Sequence, residues 1–199
     1  MDTDGIWRCV DDQRIELAGL LEGLDAEQWM APSLCDGWRV RDVAAHLTHS
    51  HMHPVRALVE AVKSGFRFDS MILRLGREDP RSQAEIAAAL RGMAGARKKV
   101  PGTSVQQPLI ELLVHGQDIT VPLGIDRPMP VDAAVEAAAR LSGMKFPLNA
   151  RQHLAGVRLV ATDADFAAGE DAGEGAGDST EIRVPIRDIV MILAGRAQP

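Results

Sequence analysis

The segment "PLIELLVHGQDI", residues 108–119, combines an apolar helical pattern with residues that can bind a metal. Glu111 and His115 are four residues apart, so on a helix their side chains leave the same face one turn apart. Asp118 follows on the same side. Most other positions are apolar, which predicts a helix over about 107–123 that is buried on most sides.

A carboxylate in such a helix needs a partner, because burying an isolated charge is expensive. A divalent cation would neutralise Glu111 and use the neutral imidazole of His115 as a second ligand. The alternative is a buried ion pair between Glu111 and an arginine beside a packed histidine, which is the more common outcome for an arbitrary E-x-x-x-H helix. The segment by itself leaves both interpretations open.

A second segment, "DVAAHLTHSHMHP", residues 42–54, holds four of the six histidines of the chain. At about 100° per residue, His46, His49 and His53 share one helix face with Asp42. His51 falls instead on the apolar stripe, which predicts that it packs in the core. His49 and His53 are predicted at the outer edge of a site or in water. His46 lies nearest the stripe, so it is best placed to point into a bundle.

His46 would complete a set of three ligands with Glu111 and His115. Two histidines and one glutamate leave a fourth coordination position open, as catalytic zinc sites do.

Helical periodicity recurs along the first part of the chain. The predicted helices are 6–24, a segment from Trp38–Val40 that Pro54 interrupts, 82–100 with a cap at Ser82, and 107–123. Residues 64–81 give no clear pattern. Four helices joined by loops predict a helix bundle over residues 1–124.

Residues 125–199 have a different pattern and predict a small α+β lobe. "VDAAVEAAARLSG" and "RDIVMILAGR" are typical of helices, and "AGVRLVATDADF" and "EIRVPI" contain strands. We expect the two strands in one antiparallel sheet covered by the last helix. The acidic, glycine-rich "AAGEDAGEGAGDST" predicts a turn or flexible loop.

The composition of the 199-residue chain, with a net charge of −6, limits the function. There is no basic stripe, which argues against nucleic acid as a partner. No apolar run is long enough for a membrane span, and the N-terminus lacks the apolar core of a secretory signal. Cys9 and Cys35 are too few for a disulfide framework, so we expect reduced thiols in a cytoplasmic protein. Cys35 is predicted to pack as a small hydrophobe.

The pair "PSLCDGWRVRDVAAHL", 32–47, and "ELLVHGQDI", 111–119, resembles the mycothiol-dependent maleylpyruvate isomerase family. That family belongs to the DinB-like four-helix metalloproteins. The C-terminal "GVRLVATDADFAAGE" and "ILAGR" resemble its smaller second domain. The resemblance implies a mostly α fold, with a DinB-like four-helix bundle followed by a small α+β C-terminal lobe. It also implies a divalent metal, zinc by family precedent, held by His46, Glu111 and His115.

The resemblance further implies an enzyme with mycothiol as cosubstrate and a small electrophilic substrate. A metal-activated thiolate would add to a cis double bond and leave again in an isomerase, or stay attached in a transferase. In the family an arginine of the small domain assists at the active site, and Arg196 in "LAGR" matches it by position. Because DinB-like bundles often pair, a homodimer is also compatible. The alternatives are a non-catalytic DinB-like metal-binding protein with a stress or regulatory role, and a purely structural bundle.

Two aspartates are candidates for orienting the metal ligands, Asp42 and Asp118. Each has an equally good interpretation as a helix-surface or capping residue. Arg39 stands where family members often have a serine or threonine that caps the helix, so we expect a weak cap there. Asp42 in the first turn still suits the helix dipole.

Overall fold

The computed structural model describes residues 1–65, 67–100, 102–144, 154, 156–169 and 180–197. The chain divides into two compact units, Thr3–Arg127 and a second one of Met1–Asp2 with Pro128–Pro199. The fold is mostly helical with a small sheet towards the C-terminus, as the sequence predicts.

The named elements of the first unit are all helical, and Pro32 and Arg39 form an isolated antiparallel bridge. Its elements are α1 (Thr3–Gly23), α2 (Ala26–Met30), α3 (Val40–His49), α4 (Pro54–Lys63), α5 (Phe68–Arg77), α6 (Gln83–Gly92), α7 (Gln107–Thr120) and a 3-10 turn (Val121–Leu123). α1 packs against α6 and α7, and α3 packs against the same two helices. These four form the predicted bundle, with α4 and α5 as additions on the α3 side.

Each bundle helix contributes apolar side chains to one core. Leu17 of α1, Val43 of α3, Leu90 of α6 and Leu113 of α7 are all fully buried. Since apolar residues recur at helical spacing within each of these segments, burial of the apolar faces accounts for the packing of the four helices. The ligand-bearing faces of α3 and α7 are therefore held against each other by the core.

Two helix boundaries follow directly from the sequence. Pro54 occupies the first turn of α4, where its missing N–H costs nothing, and the preceding helix ends at His49. Ser82 caps α6 as predicted, since its hydroxyl accepts from the Glu85 amide at 3.3 Å and its amide donates to the Glu85 carboxylate at 2.8 Å.

One helix prediction was wrong in extent, and one helix was not predicted. α6 ends at Gly92, short of residue 100, and Gly95 shortly after takes a left-handed conformation (φ 81°) that a helix does not allow. The segment 64–81, for which no pattern was clear, contains helix α5.

The second unit contains α8 (Val131–Ser142), β1 (Val157–Ala161), β2 (Ala167–Gly169), β3 (Thr180–Val184) and α9 (Ile186–Leu193). The strand order is β2-β1-β3, and α9 packs against β1 and α8. The prediction that β1 and β3 are antiparallel was wrong, because they pair in parallel, with Val157 opposite Thr180. The antiparallel partner of β1 is the short β2, so β3 occupies the other edge.

β2 begins the segment that was predicted as a glycine-rich loop. Residues 170–179 of that segment lie outside the described residues.

Candidate metal centre

His115 is held on the α7 face by a buried carboxylate. Its Nδ1 lies 2.8 Å from Oδ2 of Asp118, whose side chain is fully buried one turn further along the helix. This hydrogen bond places the ring proton on Nδ1 and leaves the Nε2 lone pair for another partner. A carboxylate behind a histidine in this way fixes the tautomer that binds metals.

His46 of α3 lies across from His115 in the first unit. The two ring centroids are 5.1 Å apart and the rings are nearly perpendicular. The rings of Trp38 and His49 also approach His46, at 5.4 and 6.5 Å. The packing of α3 on α7 thus brings together two predicted ligands that are 69 positions apart in the sequence.

Burial lowers the pKa of His46 from 6.5 to about 3, and the neighbouring His115 and His49 act in the same direction. Removing water disfavours the charged imidazolium, and a second positive ring nearby would repel it. His46 is therefore neutral at physiological pH, which is the protonation state in which histidine binds a metal.

Glu111 lies one turn before His115 on α7, and burial raises the pKa of its carboxyl group. The Gln107 amide donates to Oε1 at 3.2 Å, and His115 and Arg14 both favour the ionised form. Among the described residues, the acidic group that pairs with Arg14 is Asp11, at 3.6 Å. Among the described residues Glu111 forms no direct ion pair with an arginine, and Arg14 acts on it only through its charge.

Arg14 is a charged residue of α1, yet it is 1% exposed. Its guanidinium donates to the backbone carbonyls of Met93 and Ala96, at 2.8 and 3.2 Å, where α6 ends. No pattern in the sequence signals this burial, because the acceptors lie in a distant segment that follows α6.

Asp42 is bound to Arg39 through both carboxylate oxygens. Oδ2 accepts from the Arg39 amide and Nε at 3.0 and 2.9 Å, and Oδ1 accepts from Nη2 at 3.0 Å. The Arg39 side chain accepts no hydrogen bond from the first amides of α3, as expected of a residue that is a weak cap, and the bond from the Arg39 amide to Asp42 stabilises the start of the helix instead. Orientation of a metal ligand by Asp42 stays a prediction.

The helical register assigned to the other histidines was wrong beyond position 49, because α3 ends there. His51 is half-buried with Nε2 3.4 Å from a guanidinium nitrogen of Arg14, and it is not part of an apolar helix face. His53 is exposed and caps α4. His49 faces inwards and its Nε2 lies 3.0 Å from Oδ2 of Asp79.

Cys35, in the loop before α3, lies next to His115 and Asp118. Its Sγ is 3.0 Å from Oδ2 of Asp118 and 3.7 Å from Nδ1 of His115. Among the described residues, these three offer ligand atoms within 4.8 Å of one another, which makes them a candidate metal-binding group. The sequence interpretation of Cys35 as a packing residue missed this contact. His115 thus belongs to this group and to the predicted set with His46 and Glu111.

Arg196 follows α9 in the second unit, where its amide donates to the Met191 carbonyl at 2.8 Å. A role of its side chain in catalysis stays a prediction. Within the described residues, none of the helices combines the length and apolarity that crossing a membrane requires.

The fold and site define a class of protein, a helix bundle with a candidate metal-binding group that includes His115 of α7. Residues 10–102 match the family model described as the mycothiol maleylpyruvate isomerase N-terminal domain, which supports over this segment the family that the two motifs suggest. The match includes His46 and ends before Glu111 and His115. Neither a curated protein nor a solved structure matches the chain.

We expect the metal-free protein to lose stability as the pH falls from about 6.5 towards about 3. Unfolded His46 takes up its proton near the upper value and folded His46 near the lower, so the unfolded state binds more protons in this window. Thermal unfolding across the window should give a smaller pH dependence for His46→Gln than for the natural protein. Equal pH dependence in the two proteins would contradict the lowered pKa.

Proposed function

We propose that the protein is a metal-dependent enzyme that activates mycothiol for isomerisation of, or S-transfer to, a small electrophile. The observation that carries the proposal is the approach of the His46 and His115 rings to 5.1 Å, with Glu111 one turn from His115. The match to the family's N-terminal domain supports the thiol cosubstrate.

The donor types of this set suit a divalent cation, with zinc as our assignment, although the ligand atoms that lie within 4.8 Å of one another among the described residues are those of Cys35, His115 and Asp118. His46 is neutral, His115 has Nδ1 engaged and Nε2 open, and Glu111 carries a carboxylate that its surroundings penalise when it is charged. These three residues would hold the metal. A bound zinc ion supplies positive charge that lowers the pKa of a coordinated thiol, which produces thiolate at neutral pH.

The protein's own groups prepare this site before any ligand arrives. Asp118 fixes the proton on Nδ1 of His115, and the α3–α7 packing sets the separation of the two imidazoles. Arg14 favours the charged form of Glu111 from inside the bundle. Preorganisation of this kind reduces the free energy that ordering the ligands would otherwise cost.

Several parts of the proposal go beyond the first unit. They are assistance by Arg196, the division of the chain into a metal-binding domain, 1–124, and a small domain, 125–199, and association into a homodimer. A cytoplasmic location is also proposed, since neither Cys9 nor Cys35 is in a disulfide. Isomerase and transferase start from the same thiolate, so the ligand set does not discriminate between them.

Calorimetric titration with mycothiol tests the proposal. We expect binding to the zinc-loaded protein and loss of most of that binding after chelation of the metal. The Glu111→Gln protein, treated identically, should show none. If zinc-loaded protein does not bind mycothiol, the non-catalytic metal-binding alternative replaces the enzyme.

A further inference from the structure

Cys35 is held next to α7 by a hydrogen-bonded loop. The Ser33 hydroxyl accepts from the Cys35 amide at 3.1 Å, and the Trp38 amide donates to the Cys35 carbonyl at 2.9 Å. The Leu34 amide donates to the backbone carbonyl of Asp118 at 3.0 Å, which ties the loop to the helix. The sulfur position is therefore set by backbone bonds on both sides of the residue.

The three side chains bring one sulfur, one nitrogen and one oxygen close together. Sγ to Nδ1 is 3.7 Å, Sγ to Oδ2 is 3.0 Å and Nδ1 to Oδ2 is 2.8 Å. In tetrahedral zinc sites, metal–ligand bonds of about 2.0–2.3 Å place the ligand atoms roughly 3.3–3.6 Å apart. The two short distances are hydrogen bonds, so a cation that replaces their protons needs an expansion of only about half an ångström.

We propose that Cys35, His115 and Asp118 form a second binding site, for a thiophilic divalent cation such as zinc. Thiolate and imidazole together favour this class of metal over magnesium or calcium. On binding, the Cys35 thiol releases its proton to solvent and the imidazole proton moves from Nδ1 to Nε2. Asp118 changes from hydrogen-bond acceptor to metal ligand.

The second site competes with the first for one imidazole, a consequence that rests on the proposed function. A neutral ring has a single lone pair, so a cation on Nδ1 leaves Nε2 protonated and removes His115 from the set with His46 and Glu111. Excess zinc would thus withdraw a ligand from the thiol-activating centre. The existence of the second site does not depend on that centre.

Cobalt(II) titration tests the site, because a thiolate bound to cobalt gives intense near-ultraviolet charge-transfer absorption and nitrogen and oxygen ligands do not. His46→Ala removes the competing set, so we expect the band in this variant and its loss in the His46→Ala/Cys35→Ser double variant. Circular dichroism of both proteins checks their folding. Absence of the band from cobalt-saturated His46→Ala protein would overturn the proposal.

The same titration on Cys35→Ser alone separates the two sites. Cobalt that stays bound there, seen by its visible absorption, supports the set of His46, Glu111 and His115. If Cys35→Ser does not bind cobalt while His46→Ala still shows the charge-transfer band, the proposed function is contradicted and the second site is supported.

Discussion

Replacing His46 by alanine is expected to lower zinc affinity by more than about 100-fold. Loss of a residue that only orients a ligand typically costs ~10–100-fold, and His46 is proposed as a ligand itself. Its ring lies 5.1 Å from that of His115, and its lowered pKa keeps it ready to bind a cation at neutral pH. Competition against a chromophoric chelator, carried out in the Cys35→Ala background, measures the change at the proposed centre alone.

His51→Ala is the matched control, because His51 comes from the same histidine-rich segment but contacts Arg14 instead. We expect its zinc affinity to remain within about threefold of the unsubstituted protein, the range in which single contacts vary with context. Equal losses from His46→Ala and His51→Ala would contradict the assignment of His46.

Glu111→Gln is expected to change stability in opposite directions with and without metal. Burial raises the pKa of Glu111, so the charged carboxylate destabilises the metal-free protein as the pH rises above 4.5, its ordinary value. The neutral amide removes that cost, and metal-free Glu111→Gln should melt at the same or a higher temperature than the natural protein at neutral pH.

With zinc bound, the natural protein should melt at a higher temperature than Glu111→Gln. A ligand present at 1,000 times its dissociation constant stabilises the folded state by about 4 kcal/mol, which raises the melting temperature by on the order of 10 °C in a chain of this size. Glu111→Gln should lose most of this increase. Differential scanning fluorimetry in the Cys35→Ala background gives both readings.

The control for Glu111→Gln is Glu78→Gln, since Glu78 is exposed and its 3.6 Å pair with Arg74 is a surface interaction of little value. It should leave both melting temperatures within about 1 °C. A zinc-induced increase that survives in Glu111→Gln would show that Glu111 is not a ligand.

The bundle could be predicted because its helices carry their own signals. α7 has an apolar pattern over three turns, α1 repeats leucine at helical spacing, and the Ser82–Glu85 cap marks the start of α6. Such patterns are local, and the core that they imply is the one that forms.

Two predictions were wrong because a local pattern does not show where a helix ends or in which direction strands pair. Extending a helical register through the residues before Pro54 placed His51 on a core face, although α3 had already ended. The strand direction in the second unit was wrong because strand patterns give no direction of pairing, and the three-residue β2 took the antiparallel place.

Some contacts of the site could not be predicted from the sequence, for a different reason. Cys35 meets Asp118, and Arg14 reaches the end of α6, only through packing of separate elements. The helical pattern and the resemblance both pair His46 with the helix of His115, and the structure adds that Asp118, one of the two candidate orienting aspartates, is hydrogen-bonded to this second histidine.

The most direct test of the metal centre is the zinc content of the Cys35→Ala protein after equilibration with zinc and removal of the unbound metal. This substitution disables the sulfur-containing site and leaves His46, Glu111 and His115 intact. The account predicts about one zinc ion per chain, as one three-ligand site requires, and none after the further change His46→Ala. A Cys35→Ala protein that remains metal-free would contradict it.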